Sequence, residues 1–311
     1  MFLLLKSALF LLTIQSILFG SILDSANSAY SQGKLRQSIV LYKKALTAGD
    51  NPALCYFNMG NAWFKLDSLP QAAVSYNACS WYAPDFARGH LNRAVVYYQL
   101  DEMGECIAAA TRALQLDTAN SKTMLLLSSA YRRSGALALA ATTLEQLLET
   151  NPDHTEALWI LGSLYYDWAD YVTAMRWLTM IDETTTYGAP AAQRLAECAI
   201  RMQDTTRALF YLQQSLERDP ARRSTLYQIA LLLHAIKNDA LAIEYINNGL
   251  SRFADYADLA MLGGTISLTQ KNLGTALHFF AKARALGSAA AIAPLREVEE
   301  RLRGETLKNS H

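Results

Sequence analysis

A period of 34 residues runs through most of the chain and limits its fold more than any other feature. One phase of this period holds only small residues: Ala26, Gly60, Ala94, Ser128, Gly162, Ala196, Ala230 and Gly264. A second phase is also small: Ser38, Ala72, Cys106, Ala140, Ala174, Ala208, Ala242 and Ala276. A third phase is mostly large: Tyr42, Tyr76, Ala110, Leu144, Leu178, Leu212, Ile246 and Phe280. No insertion interrupts the pattern, so the sequence predicts eight consecutive structural repeats.

The three phases predict two helices in each repeat. The repeats start near residues 19, 53, 87, 121, 155, 189, 223 and 257. The small residues then stand at positions 8 and 20 of each repeat and the large ones at position 24. Helices over positions 2–14 and 18–30 would place the small residues where two backbones approach closely, with the large ones filling the space beside them. Pro70 falls at the start of a second helix, where a missing amide costs little.

A 34-residue helix–turn–helix repeat with this pattern resembles the tetratricopeptide repeat (TPR), over residues 19 to about 290. The resemblance implies an all-α fold, a right-handed α-solenoid of about eight repeats over residues 22–290. One repeat cannot bury its apolar face alone, so neighbours must stack and the ends need covers. Residues 291–311 are expected to form a capping helix and a polar tail, with an alternative role as a partner-binding amphipathic helix. Its apolar stripe would consist of Ile292, Leu295, Val298 and Leu302.

Residues 1–21 have the layout of a secretory signal peptide. Lys6 is followed by a mostly apolar run and then by the small residues Gly20 and Ser21. One alternative is an uncleaved N-terminal anchor, although the apolar run is shorter than the ~20 residues that a spanning helix needs. A buried helix is the other. The signal peptide and the anchor both place the folded part in the periplasm or elsewhere outside the cytoplasm. The first helix is expected to begin near Phe19, which predicts cleavage close to Gly20 or Ser21.

Composition and spacing argue against several classes of function. Lys+Arg and Asp+Glu are equal at 28 each, so no net charge recruits nucleic acid or anionic lipid. The five histidines fall in different repeats at different phases, which gives no metal-ligand spacing. No phosphate-binding loop or nucleophile motif occurs. We therefore expect no enzymatic activity, no cofactor, no metal and no small-molecule substrate.

The four cysteines are Cys55, Cys79, Cys106 and Cys198, and none forms a CxxC motif. We expect small buried packing residues. In an oxidising compartment, a disulfide between Cys55 and Cys79 is the alternative.

In a TPR fold, positions 2, 5, 6, 9, 12 and 13 of the first helices line a concave groove, as the resemblance implies. Aromatic side chains there would supply contact area, and amides would both donate to and accept from a peptide backbone. We therefore predict a protein or peptide partner. The alternative is that the aromatics pack between neighbouring first helices and that the amides lie on a solvated face. The candidate residues are Asn27, Tyr30, Phe57, Asn58, Asn61, Phe64, Lys65, Arg88, Asn92, Tyr98, Gln99, Lys122, Arg132, Arg133, Trp159, Tyr166 and Asp167.

TPR co-chaperones that hold a C-terminal carboxylate use lysine, arginine and asparagine at five of these groove positions. Starting from the second repeat, the corresponding residues are Phe57, Asn61, Asn92, Lys122 and Leu126. Two cations of the pattern are missing. The sequence therefore favours a peptide held by asparagines between aromatic pockets over a two-carboxylate clamp.

Residues 41–99, which include "YFNMGNAWFKL", Gly49 and the "LN" at 91 and 92, resemble the TPR segment of BatE-type aerotolerance proteins. Those proteins are exported or envelope-associated and are encoded beside von Willebrand-factor-A-domain partners. The resemblance implies an adaptor in envelope assembly or stress tolerance, with membrane contact only through the N-terminal segment. The alternative function is a membrane-tethered structural subunit, anchored by an uncleaved N-terminus.

Overall fold

The computed structural model describes residues 21–308, with side-chain surroundings for residues 21–304. The predicted signal peptide, and a helix start at Phe19, lie outside this range except for Ser21. The described chain forms 17 α-helices and no strand. In the N-terminal half they are α1 (Ile22–Ser31), α2 (Leu35–Thr47), α3 (Pro52–Lys65), α4 (Leu69–Tyr82), α5 (Ala87–Gln99), α6 (Met103–Leu116), α7 (Ser121–Arg133) and α8 (Leu137–Thr150). In the C-terminal half they are α9 (Thr155–Asp167), α10 (Tyr171–Leu178), α11 (Gly188–Arg201), α12 (Thr205–Arg218), α13 (Arg223–Ala235), α14 (Asp239–Arg252), α15 (Ala257–Thr269), α16 (Leu273–Ala285) and α17 (Ile292–Lys308).

Helices α1 to α16 form eight consecutive pairs, which confirms the all-α repeat fold. The chain divides into two compact units, one ending at Pro152 and the other beginning at Asp153. Within each unit, the two helices of a repeat pack on each other, and the second helix also contacts the first helix of the following repeat. This is the stacking that one amphipathic helix pair requires to bury its apolar face.

The size pattern of the sequence arises from contacts between positions 8 and 24 of the same repeat. A methyl group added to Gly60 would lie 2.7 Å from the ring of Tyr76, and one added to Gly264 would lie 2.5 Å from the ring of Phe280. Both rings are almost completely buried. A large side chain at position 24 therefore requires a glycine or another small residue opposite it, because the interior is already close-packed. The neighbouring Gly263 similarly lies against the ring of Phe279, as expected for close helix contact.

The turn inside each repeat uses one left-handed residue at position 15. Gly33 and Gly135 occupy it in the first and fourth repeats, with φ of 75° and 82°. The other six repeats place a non-glycine residue there, with φ between 56° and 64°. These residues are Asp67, Asp101, Ala169, Gln203, Lys237 and Lys271. Each carries the steric cost that a Cβ atom has in this conformation.

The fifth repeat departs from the predicted pattern. Helix α10 ends at Leu178, about six residues short of the expected end, and residues 179–187 form turns. The Asp182 carboxylate accepts hydrogen bonds from the Thr184 amide at 2.8 Å and from its hydroxyl at 2.7 Å. This local side-chain bonding competes with helix formation, and the β-branched threonines that follow add little helix propensity.

The ends of the repeat array are closed by local features. Ser21 and Asp24 form a reciprocal capping box at the start of α1. At the other end, Leu295 and Val298 of α17 are buried against Phe280 of α16. Including Ile292 in the apolar stripe was wrong: it is 41% exposed, and the preceding Ala291 is buried instead.

The cysteines are buried packing residues, as expected. Cys55, Cys79, Cys106 and Cys198 are all free thiols, so the alternative disulfide between Cys55 and Cys79 is not formed. Burial raises the pKa of Cys79, Cys106 and Cys198 to about 11. Among residues 21–308, no helix has the length and apolar character needed to cross a bilayer.

Candidate partner-binding surface

The first helices of the first two repeats place two predicted asparagines within hydrogen-bond distance. Asn27 of α1 accepts two bonds at its Oδ1 atom. The donors are the Tyr42 hydroxyl of the same repeat at 2.9 Å and the Asn58 amide of the next repeat at 3.0 Å. The first helices of successive repeats are therefore joined by an amide–amide bond, and the same oxygen holds a tyrosine on the second helix.

The same arrangement recurs exactly one repeat later, on α3 and α5. The Tyr76 hydroxyl donates to Asn61 Oδ1 at 2.7 Å, and the Asn92 amide donates to the same oxygen at 3.0 Å. Asn92 also approaches the Tyr76 oxygen at 3.4 Å. Burial raises the pKa of Tyr76 above its ordinary range and that of Tyr42 to about 12. Both phenols are therefore protonated donors at neutral pH.

This asparagine ladder ends after the third repeat for a simple chemical reason. Position 24 there is Ala110, which has no hydroxyl, and position 6 of the fourth repeat is Leu126, which has no amide. The repetition of asparagine at two positions therefore reflects packing between repeats. It does not exclude binding, because Asn61 Nδ2 and the Oδ1 atoms of Asn58 and Asn92 make no hydrogen bond within the described residues.

Five of the candidate residues line one small cavity on the first-helix side of repeats one to three. It has a volume of about 120 Å³ and is bordered by Tyr30, Asn61, Phe64, Lys65 and Asn92, together with Tyr76 and Val95. The Lys65 ammonium lies 4.3 Å from the centre of the Tyr30 ring, a cation–π contact between successive repeats. The structure thus brings aromatic, amide and cationic side chains of the candidate set together at one cavity.

A larger cavity of about 640 Å³ adjoins the first one. Asn92 and Val95 border both cavities, so the two form a continuous surface. The larger one is also lined by the exposed cations Arg88 and Lys122, and by apolar groups that include Leu91. Neither cation has an ion pair or hydrogen bond in the described part of the chain, so both charges are available to a partner.

Other candidates serve packing. Phe57 is buried and makes an edge contact with Phe86 at 5.0 Å, so its assignment to an exposed groove was wrong. Arg133 pairs with Asp101 at 2.6 Å, and its guanidinium lies 4.8 Å from the ring of Tyr98. Arg133 and Tyr98 therefore connect the third and fourth repeats. The other members in this unit, Gln99 and Arg132, are exposed, as is Asp167 of α9.

In the C-terminal unit, Trp159 and Tyr166 of α9 face an arginine of α11. The Arg194 guanidinium lies 5.8 Å from the Trp159 ring and 4.4 Å from the Tyr166 ring. Arg201 stands at position 13 of the sixth repeat. It forms a hydrogen bond with Tyr166, and this bond raises the pKa of Arg201. The sequence analysis missed both arginines. Applying the same groove positions to the sixth repeat would have identified them, because Arg194 and Arg201 stand at positions 6 and 13.

No group of three or more histidine, cysteine, aspartate or glutamate residues is arranged to hold a metal ion in the part of the chain that the structure describes. The surface around the two cavities is lined by aromatic, amide and cationic side chains, which offer hydrogen bonds, cation–π contacts and charge. These are the interactions that hold a polypeptide.

Comparison with known proteins identifies the repeats. Two family models described as tetratricopeptide repeat match residues 125–185 and 191–221. A curated relative, DnaJ homolog subfamily C member 3 of Rattus norvegicus, is 20% identical in an alignment of 216 positions that covers 65% of this chain and 43% of the rat protein. The chain thus spans less than half the length of this relative.

Solved structures show the same fold. The C-terminal part of a TPR repeat-containing protein from Cytophaga hutchinsonii aligns with a TM-score of 0.66 at 16% identity, covering 77% of this chain and 99% of that one. A tetratricopeptide repeat protein from Parabacteroides merdae has a TM-score of 0.52 at 20% identity, covering 80% and 99%. YrrB, described as a TPR protein with an unusual peptide-binding site, has a TM-score of 0.51 at 20% identity, covering 63% and 97%.

These matches confirm that the chain contains tetratricopeptide repeats. The finer resemblance of residues 41–99 to BatE-type proteins stays a prediction.

Proposed function

We propose that the chain is a protein-binding scaffold whose N-terminal unit holds an extended polypeptide segment along α1, α3, α5 and α7. The observation that carries this proposal is the pair of adjoining cavities that share Asn92 and Val95. Free amide groups at one-repeat spacing suit a peptide backbone, which presents donors and acceptors along its length. The peptide-binding site described for the TPR protein YrrB is consistent with this use of the fold.

The best probes of this surface are its exposed cations. Asn61→Ala and Asn92→Ala would remove hydrogen bonds that hold the buried Tyr76, so a loss of binding would be confounded by a loss of stability. Arg88 and Lys122 are exposed, and the described structure gives them no such role. The double variant Arg88→Ala with Lys122→Ala should therefore keep its fold while removing two of the charges that line the larger cavity.

The experiment is a crosslinking pull-down from the source cells, with partners identified by mass spectrometry. Wild type and a control with the same charge change on the last two helices, Lys282→Ala with Arg296→Ala, should recover the same partner. The groove variant should recover less than about a tenth as much, since two charge-assisted contacts are lost. Equal recovery by all three proteins would show that this surface is not the binding site.

We also propose that the scaffold is exported, because residues 1–21 combine a cation, an apolar run and small residues. The mass of the mature protein tests this proposal. A loss of about twenty residues supports a cleaved signal peptide. An intact mass together with extraction only by detergent supports the alternative, a membrane-tethered structural subunit. A role in envelope assembly or stress tolerance predicts that a von Willebrand-factor-A-domain protein is among the captured partners.

A further inference from the structure

The second helices of the first two repeats carry exposed apolar side chains. Val40 of α2 and Val74 of α4 stand at the same repeat position and are 53% and 69% exposed. Trp81, 76% exposed, follows Val74 by seven residues on α4, so the two lie on one side of that helix. Tyr82 beside it is half exposed. A tryptophan so open to water is unusual, since large aromatics are on average mostly buried.

Charge on these two helices is of one sign. Helix α4 contains no charged residue in its 14 positions. Helix α2 carries Arg36, Lys43 and Lys44 and no acidic residue, and Lys34 precedes it directly. Arg36, Lys43 and Lys44 lie within four residues of Val40 on the same helix, so they surround its exposed side chain. The result is an apolar strip flanked by cations on one side.

The cationic and apolar parts meet at a cavity. Lys43 and Val74 both border a space of about 400 Å³ whose other walls include Tyr56, Met59 and Trp63. We call Val40, Lys43, Val74, Trp81 and Tyr82 the second-helix patch. It lies on the second helices, whereas the proposed peptide-binding surface is built on the first helices.

The aromatic end of the patch is held in place by ring contacts. The Trp81 ring meets the Tyr82 ring edge-on at 4.7 Å, and Tyr82 stacks on Tyr56 at 5.7 Å and 12°. Such rings present an apolar body together with a polar N–H or O–H group. Tryptophan and tyrosine are enriched at the boundary between lipid and water for this reason.

We infer that the second-helix patch binds the surface of an anionic lipid bilayer. Val74 and Trp81 enter the interfacial layer, while Arg36, Lys43 and Lys44 face the lipid phosphates, because helices α2 and α4 carry cations but no acidic residue. An acidic protein surface would also satisfy the cations, and the loss of a crosslinked protein in the test below would identify it. The mostly apolar residues 1–20 directly precede α1, so a membrane-associated N-terminus would hold the first repeat beside the same bilayer.

The test is flotation of the full-length chain with two kinds of vesicle, pure phosphatidylcholine and an equal mixture with phosphatidylglycerol. Wild type should float with the anionic vesicles. The double variant Val74→Glu with Trp81→Glu should lower the partition coefficient by at least about tenfold. Val172→Glu with Phe210→Glu is the matched control, because these apolar residues of α10 and α12 are 67% and 53% exposed and the charge change is the same; it should behave as wild type.

A second pair of changes tests the electrostatic part without altering the apolar side chains. Lys43→Gln with Lys44→Gln should lower binding to anionic vesicles by about tenfold or more, since each basic residue near a charged surface contributes about fivefold. Binding to neutral vesicles should not change. Circular dichroism confirms that each variant keeps its helical content.

Three outcomes would overturn the inference. Equal flotation of wild type and the double variants of α2 and α4 would assign any lipid binding to the N-terminal segment, which all of them share. No flotation of wild type with anionic vesicles would exclude a lipid site. Loss of a crosslinked protein in the Val74→Glu and Trp81→Glu variant, without any change in flotation, would make the patch a protein interface.

Discussion

The hydrogen bond between Asn61 and Tyr76 should contribute measurably to the stability of the N-terminal unit. The Tyr76 hydroxyl is 2.7 Å from Asn61 Oδ1, and the tyrosine is only 2% exposed. Asn61→Ala leaves a buried donor without an acceptor, because the neighbouring Asn92 offers its amide group to the tyrosine oxygen. Such an orphaned group costs about 2 kcal/mol. Tyr76→Phe removes the donor itself and should cost only about 1 kcal/mol.

The double variant distinguishes this account from a general loss of packing. With both partners removed, no buried hydroxyl is orphaned, so the double variant should cost about 1.5 kcal/mol instead of the sum of about 3 kcal/mol. The assay is urea denaturation followed by circular dichroism, with the midpoint and slope fitted for each variant. Asn248→Ala, an exposed change on α14, measures the gain of about 0.5 kcal/mol from helix propensity alone. Additive effects of Asn61→Ala and Tyr76→Phe would refute the reasoning.

Three further perturbations follow from the repeat geometry. Ala169→Gly should raise the free energy of unfolding by about 1 kcal/mol, because Ala169 has φ of 61°, and Gly135→Ala should lower it by a similar amount because its φ is 82°. A loss of stability with Ala169→Gly, or a gain with Gly135→Ala, in urea denaturation would contradict the turn assignment. Gly264→Ala should cost about 1–3 kcal/mol through contact with the Phe280 ring, and Phe280→Leu should recover part of that loss; thermal unfolding of the single and double variants measures this. Burial raises the pKa of Tyr42 to about 12 from an ordinary value near 10, so its contribution of about 2 kcal/mol is present below pH 10 and is lost as pH rises towards 12. Tyr42→Phe should weaken that alkaline loss of stability, and an unchanged pH profile would exclude Tyr42 as its source.

The candidate surface could be predicted only in part, because helical period assigns a face but not its contacts. Tyr30, Phe64 and Lys65 share one face by their repeat positions, and they border a common cavity. Phe57 shares that face by its repeat position, yet it is buried against Phe86 of the next repeat. Whether an aromatic at such a position contacts solvent or a neighbouring helix depends on the distance between two stacked repeats. The spacing of residues within one helix does not determine that distance.

The sequence alone determined the number of repeats, the helix pairs and the small-against-large packing. These features depend on hydrogen bonds and contacts between residues within about thirty positions of each other. The residue pattern that produces them occurs eight times with a period of 34. Only the tertiary structure decided that Asn27 bonds Asn58 and that Asn61 bonds Asn92. It also showed that Val74 and Trp81 are exposed and that Val74 shares a cavity with Lys43. The asparagine bonds and the Lys43–Val74 cavity all lie between neighbouring repeats. The rotation from one repeat to the next decides which side chains meet there, and the period within a single helix does not specify that rotation.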